Sequence, residues 1–177
     1  MNCNKKGVMK LILLCSLVCL FSSLFSSPVD LGIDVFISEG HLEKLKGKNI
    51  GLITNQTGVN KKLISTADLL IQEAKEYAIV ALFSPEHGFS GSFYANEKVE
   101  DGLTNNRIPL YSLFGETRRP TDEMLKGIDV LIYDIQDIGV RSYTFATTLF
   151  YVMEEAVKRK IEVIVLDRPN PLNGLTI

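Results

Sequence analysis

Four short apolar runs, each closed by a polar cluster, set the rhythm of this chain. They are NIGLIT (49–54) before NQTG, AIVALF (78–83) before SPEHG, DVLIYD (129–134) before IQDIG, and EVIVLD (162–167) before RPNP. Runs rich in Ile, Val and Leu with little polar alternation predict strands buried on both faces. The period between them is helical. Ser65 and Asp68 have capping-box spacing, and Ala67, Leu70, Ile71 and Ala74 follow at helical intervals. Residues 143–160 put Ala146, Leu149, Phe150, Met153 and Val157 on one face. The pairs Glu154–Lys158 and Glu155–Arg159 fall on the other, expected to be the solvated face. A shorter helix is expected over about residues 121–127. Residues 90–120 read as an insertion with one extended piece, IPLYSLFG.

Strands alternating with helices predict an α/β fold, a mostly parallel sheet with helices on both faces. Open sheets of this kind bind ligands outside the carboxyl ends of their strands. Each polar cluster sits at such an end: Asn55 and Gln56, Glu86 and His87, Gln136 and Asp137, Arg168 and Asn170. The chain stops at Ile177 with no capped final helix after the fourth run. It is expected to be a truncated part of a longer protein; a small complete domain is the alternative.

The first 27 residues differ from the rest. Lys5, Lys6 and Lys10 precede an apolar run of about a dozen residues and a serine-rich exit, the layout of a secretory signal peptide. The run is short for a membrane span, which needs roughly 20 apolar residues. An uncleaved anchor or a lipoprotein signal at Cys15 or Cys19 are the alternatives. Export to the periplasm or the outside follows as an expectation. Cys3, Cys15 and Cys19 all lie in this leader, so residues 28–177 carry no disulfide framework, thiol nucleophile or cysteine metal site. With Lys+Arg at 19 against Asp+Glu at 21, the charge provides no basis for a nucleic-acid partner.

The strongest candidate chemistry is Glu86 with His87. A carboxyl group at a cleft rim transfers a proton when burial tunes it, Pro85 fixes the turn, and Gly88 lets the backbone bend. The competing reading is a solvated acid in a strand-exit turn. In YDIQDIGVRSYT (133–144), Arg141 either grips a carboxylate with both its arms or pairs with Asp134 or Asp137 to shape the loop. Arg168 either binds an anion or bridges to Asp137, and Asn170 sits between two prolines. Asn55 and Gln56 offer amides suited to sugar hydroxyls. No dinucleotide fingerprint, phosphate-binding loop or serine elbow exists. His41 and His87 are far apart, so no metal ligand set stands out, and His41 reads as a surface or packing residue.

The motifs GLITNQTG, FSPEHGF, PLYSLFG, DVLIYDIQDIGVRSYT and VIVLDRPNP, in that order, resemble the peptidoglycan exo-β-N-acetylmuramidase family over about residues 31–174. The resemblance implies a Rossmann-like N-terminal catalytic domain whose C-terminal companion is absent from this sequence. It implies a glycoside hydrolase that frees N-acetylmuramic acid from the non-reducing end of peptidoglycan fragments, without a cofactor. Glu86 would be the catalytic acid, with His87 orienting it or touching substrate. Arg141 would suit the lactyl carboxylate, and Gln136 and Asp137 would line the same crevice. Glycosidases commonly use a second carboxyl group, for which Asp137 and Asp134 are the candidates. Two departures are visible: Ser142 stands where the family has an aromatic residue, and NNRIP (105–109) replaces the family's TGLP. A non-catalytic sugar-binding remnant is the alternative function.

Overall fold

A computed structural model describes residues 29–172, and the expected signal peptide (1–27) lies outside them. Six strands form one sheet: β1 (Asn49–Thr54), β2 (Ala78–Ser84), β3 (Gly102–Leu103), β4 (Pro109–Ser112), β5 (Val130–Asp134) and β6 (Glu162–Val165). Their spatial order is β3-β4-β2-β1-β5-β6. All neighbours are parallel except β3, which runs antiparallel to β4. The mostly parallel α/β architecture is therefore present, with six strands where four runs and an extended piece were legible.

The continuous apolar runs arise because the central strands are covered twice. Ile53, Phe83, Leu131 and Tyr133 point into one core layer, with helix α3 (Phe145–Arg159). Ile50, Leu52, Leu82, Val130 and Ile132 point into the other, with helices α1 (Gly32–Ser38) and α2 (Thr66–Gln72) and a 3₁₀ helix (His41–Leu45). Neither α1 nor the 3₁₀ turn was legible as a helix; both are too short for a full periodic signal. Helix α2 begins as its capping spacing requires, Ser65 Oγ accepting from the Asp68 amide at 3.0 Å. It ends at Gln72, two residues before Ala74.

Two expectations fail. Residues 121–127 form overlapping turns rather than a helix, the Leu125 amide bonding the Thr121 carbonyl at 3.1 Å and the Lys126 amide the Glu123 carbonyl at 3.3 Å. Gly127, at φ +77°, then turns the chain away, leaving Leu125 and Ile128 in the core. Helix α3 packs through a different face. Phe145, Thr148, Val152 and Ala156 are buried, whereas Phe150 is 58% and Val157 76% exposed. The helix carries two apolar stripes, and the sheet takes the one whose small Thr148 and Ala156 allow close approach. Glu155, expected in solvent, lies under Arg119, Lys158 and Arg159, which all contact its carboxylate.

Candidate active site

The strand order reverses around β1. The chain moves from β1 to β2 and β4 on one side, then returns to β5 and β6 on the other. Open α/β sheets place ligands beyond the strand carboxyl ends at such a reversal. Two cavities open there.

The first, about 320 Å³, is lined by Glu86 and His87 after β2, Ala95 in the following loop, and Ser142, Tyr143, Thr144 and Phe145 after β5. Its volume is in the range of small-molecule sites, about 300–1,000 Å³. SPEHG builds one wall. The Gly88 amide closes a turn on the Pro85 carbonyl at 3.0 Å, and both His87 (φ +72°) and Gly88 (φ +75°) adopt left-handed backbone. Glycine takes that conformation freely; a histidine held in it is strained, a feature that concentrates at functional sites. The imidazole Nδ1 meets the Phe93 carbonyl at 2.9 Å. A carbonyl can only accept, so Nδ1 carries the proton and, in the neutral ring, Nε2 is left as the acceptor.

Glu86 is 9% exposed, and both of its oxygens are engaged. The Asn96 amide donates to Oε1 at 3.0 Å, and the Thr144 hydroxyl donates to Oε2 at 2.7 Å. The second bond links the exits of two strands that β1 separates. Burial pushes the carboxyl group up. The Asn96 amide, the Thr144 hydroxyl, His87 and Arg118 pull it down more strongly, and it settles below the ordinary glutamate value. A carboxyl group lowered in this way is ionised at neutral pH. Tyr133 supports the far wall, its hydroxyl donating to the Phe145 carbonyl at 2.9 Å.

The second cavity, about 290 Å³, includes Gln136, Asp137, Gly139, Arg168 and Asn170. Of the three residues expected in one hollow, Glu86 and Asp137 line different cavities. Asp137 Oδ1 accepts from the Gly139 amide at 2.7 Å and shapes its own loop. Gln136 donates to the Asp137 and Pro169 carbonyls at 2.7 and 2.9 Å. Arg141 is exposed and lines neither cavity, one residue before Ser142 in the first. Asn170 Oδ1 accepts from the Leu172 amide.

Arg168 faces inward. Its Nε and Nη2 donate to Asp134 at 2.5 and 2.9 Å, and Nη2 also donates to the Val59 carbonyl at 2.8 Å. Its side chain is 6% exposed and that of Asp134 0%, so neither is placed to meet an anion or act as a second catalytic carboxylate. Thr66 completes the cluster with a short hydrogen bond to Asp134. Asn55 is buried and organises its turn, its Oδ1 accepting from the Thr57 amide and hydroxyl at 2.9 and 2.6 Å. Gln56 lies against Gly91, where a Cβ would come within 2.3 Å of the carboxamide.

Sequence reasoning passed over Asn96, Arg118 and Thr144. Thr144 was visible as the last residue of the quoted loop motif, but a threonine before a helix reads as a cap. Asn96 acts through its backbone, which leaves no trace in residue type. Arg118 lies over the Phe114 ring at 4.1 Å. Among the described residues, no group of three or more His, Cys, Asp or Glu could hold a metal ion.

The sequence model described as exo-beta-N-acetylmuramidase NamZ, N-terminal, matches residues 50–177. The peptidoglycan beta-N-acetylmuramidase NamZ of Bacillus subtilis is 46% identical over 147 residues, 82% of this chain and 35% of that protein. Two crystal structures of DUF1343 family proteins from Bacteroides fragilis superpose with TM-scores of 0.72 and 0.67. Their identities are 51% and 31%, over 84% and 82% of this chain and 36% of each of theirs. The chain thus spans about a third of the length of these relatives. It belongs to the family of the exo-β-N-acetylmuramidase NamZ N-terminal domain.

Proposed function

We propose that this chain is the catalytic N-terminal part of an exported glycoside hydrolase that releases N-acetylmuramic acid from the non-reducing end of peptidoglycan fragments. The observation that carries the reading is the buried Glu86 carboxylate in the wall of a cavity at the strand-order reversal, both oxygens engaged. Family membership supports the reaction class, and the B. subtilis relative acts on peptidoglycan by its name. The basic, apolar and serine-rich order of residues 1–27 supports export to the periplasm or cell exterior.

Glycoside cleavage needs a carboxylate at the anomeric carbon, as base toward water or as nucleophile, and a proton for the leaving oxygen. Glu86, held ionised, suits the first task. As base, Glu86 takes the proton of a water whose oxygen bonds to C1 while the C1–O bond breaks and the leaving oxygen takes a proton from solvent. As nucleophile, its Oε bonds to C1 as the same bond breaks, and a water then cleaves the glycosyl ester and frees the carboxylate. His87 presents Nε2 as a polar contact in the same cavity. Tyr143 adds an aromatic face for a sugar ring, one position after the family's aromatic residue. Arg141 supplies the charge for the lactyl carboxylate from the rim.

The test is release of chromophore from a β-N-acetylmuramide by the purified chain and by Glu86→Gln. Release by wild type, lost by a factor of about 10³ or more in the variant, supports the reading. Sugar binding without release favours the non-catalytic remnant and overturns the hydrolase.

A further inference from the structure

We propose that Thr144 is a positioning residue for Glu86: its hydroxyl fixes the carboxylate in one orientation in the cavity wall and favours its charged form. The proposal rests on the reading of Glu86 as the reacting carboxylate and adds the residue that orients it.

Thr144 occupies the N-cap position of α3. A threonine there ordinarily accepts a hydrogen bond from an amide of the first turn, with extended backbone. Thr144 makes no such bond, and its backbone is helical, at φ −86° and ψ −4°. Ser65, at the same position of α2, is extended and caps its helix. The Thr144 side chain is directed instead to Glu86 Oε2. A helix start thus forgoes its side-chain cap, and the diverted hydroxyl orients the candidate reacting group.

The contacts favour the charged form as well. A carboxylate accepts more strongly than a protonated carboxyl group, and Glu86 accepts at both oxygens, one from Thr144 and one from the Asn96 amide. Protonation would weaken these bonds. Helix α3 is 15 residues long, so the positive end of its dipole is available to favour an anion beside its first residue. The ionisable groups that face Glu86 are His87 on its own turn and Arg118 in the segment after β4, and a positive charge on either favours the anion. Tyr143 is the other titratable group lining the cavity. Asn96 donates from the backbone, which leaves Thr144 as the side-chain donor that substitution can remove.

The experiment is a pH titration of the purified chain with ¹³C-labelled glutamate side chains, the Glu86 signal being identified by its loss in Glu86→Gln. The wild-type midpoint is expected below those of the exposed glutamates. Thr144→Val is expected to raise it by about one pH unit, and Thr144→Ser to restore it. Thr144→Ala removes the hydroxyl without the branched side chain and gives the same comparison if valine disturbs the helix start. An unchanged midpoint in the folded Val or Ala variant, or no recovery with Ser, overturns the proposal. The titration needs no turnover. A chain that releases no sugar therefore sinks the hydrolase and leaves this result standing, whereas a hydrolytic chain with an unmoved midpoint sinks only the role of Thr144.

Discussion

A single carboxylate behaves differently at two strand exits of this protein. Glu86 lines an open cavity, its oxygens held by an amide and a hydroxyl. Asp134 is closed in by Arg168 and Thr66. The first arrangement suits chemistry; the second suits architecture. Removing one partner of a buried ion pair strands the other charge, at about 3–5 kcal/mol. Arg168→Met is therefore expected to lower unfolding free energy by about that amount in urea, and a further Asp134→Leu to recover much of it. A loss below about 1 kcal/mol would place the pair in solvent. Sequence reading singled out Glu86 because a proline and a glycine bracket it after a strand. It left Arg168 as an anion binder or a bridge to Asp137, because the carboxylate it meets, Asp134, lies 34 positions away at the end of a neighbouring strand.

At the scale of elements, β1, β2 and β5 were legible almost to the residue because burial leaves continuous apolar runs, whereas the two-residue β3 leaves no pattern. The facing of α3 was not legible either. The stripe turned outward is the more apolar of the two by residue type, so only packing against the sheet decides between them. The choice has a direct consequence: Phe145→Ala is expected to cost about 3–5 kcal/mol, the usual loss for a buried phenylalanine. Phe150→Ala, at an exposed site, should stay within about 0.5 kcal/mol. Equal losses in chemical denaturation would contradict the packing. The outer end of α3 is tied by Arg159 to Asp122 and by Lys158 and Arg159 to Glu155. Hydrogen bonds from Lys158 and then Arg159 hold Glu155 well under the ordinary glutamate range, at about 2. A carboxyl group lowered on folding stabilises fully above its unfolded value and loses that contribution as pH falls through the folded one. Between about pH 4.5 and 2, thermal stability should therefore fall less steeply in Glu155→Gln than in wild type. Parallel curves would show that the clamp does not titrate with folding.

Across the whole molecule, the polar clusters sit at strand ends as expected, and they line two cavities rather than one. Strand order decides which exits are neighbours, and the return from β4 to β5 across β1 is not written in any local pattern. That return brings Thr144 to Glu86 and leaves Gln136 and Asp137 beside Arg168 and Asn170. The central claim is that the cavity bearing Glu86 receives the amino sugar. Titration of N-acetylmuramic acid into the ¹⁵N-labelled chain, followed by its amide NMR shifts, tests that claim most directly. The account predicts the largest shifts at His87, Ala95, Asn96 and Ser142 to Phe145. Shifts centred on Gln136 to Gly139 and Arg168 to Asn170, or none at saturating sugar, would contradict it.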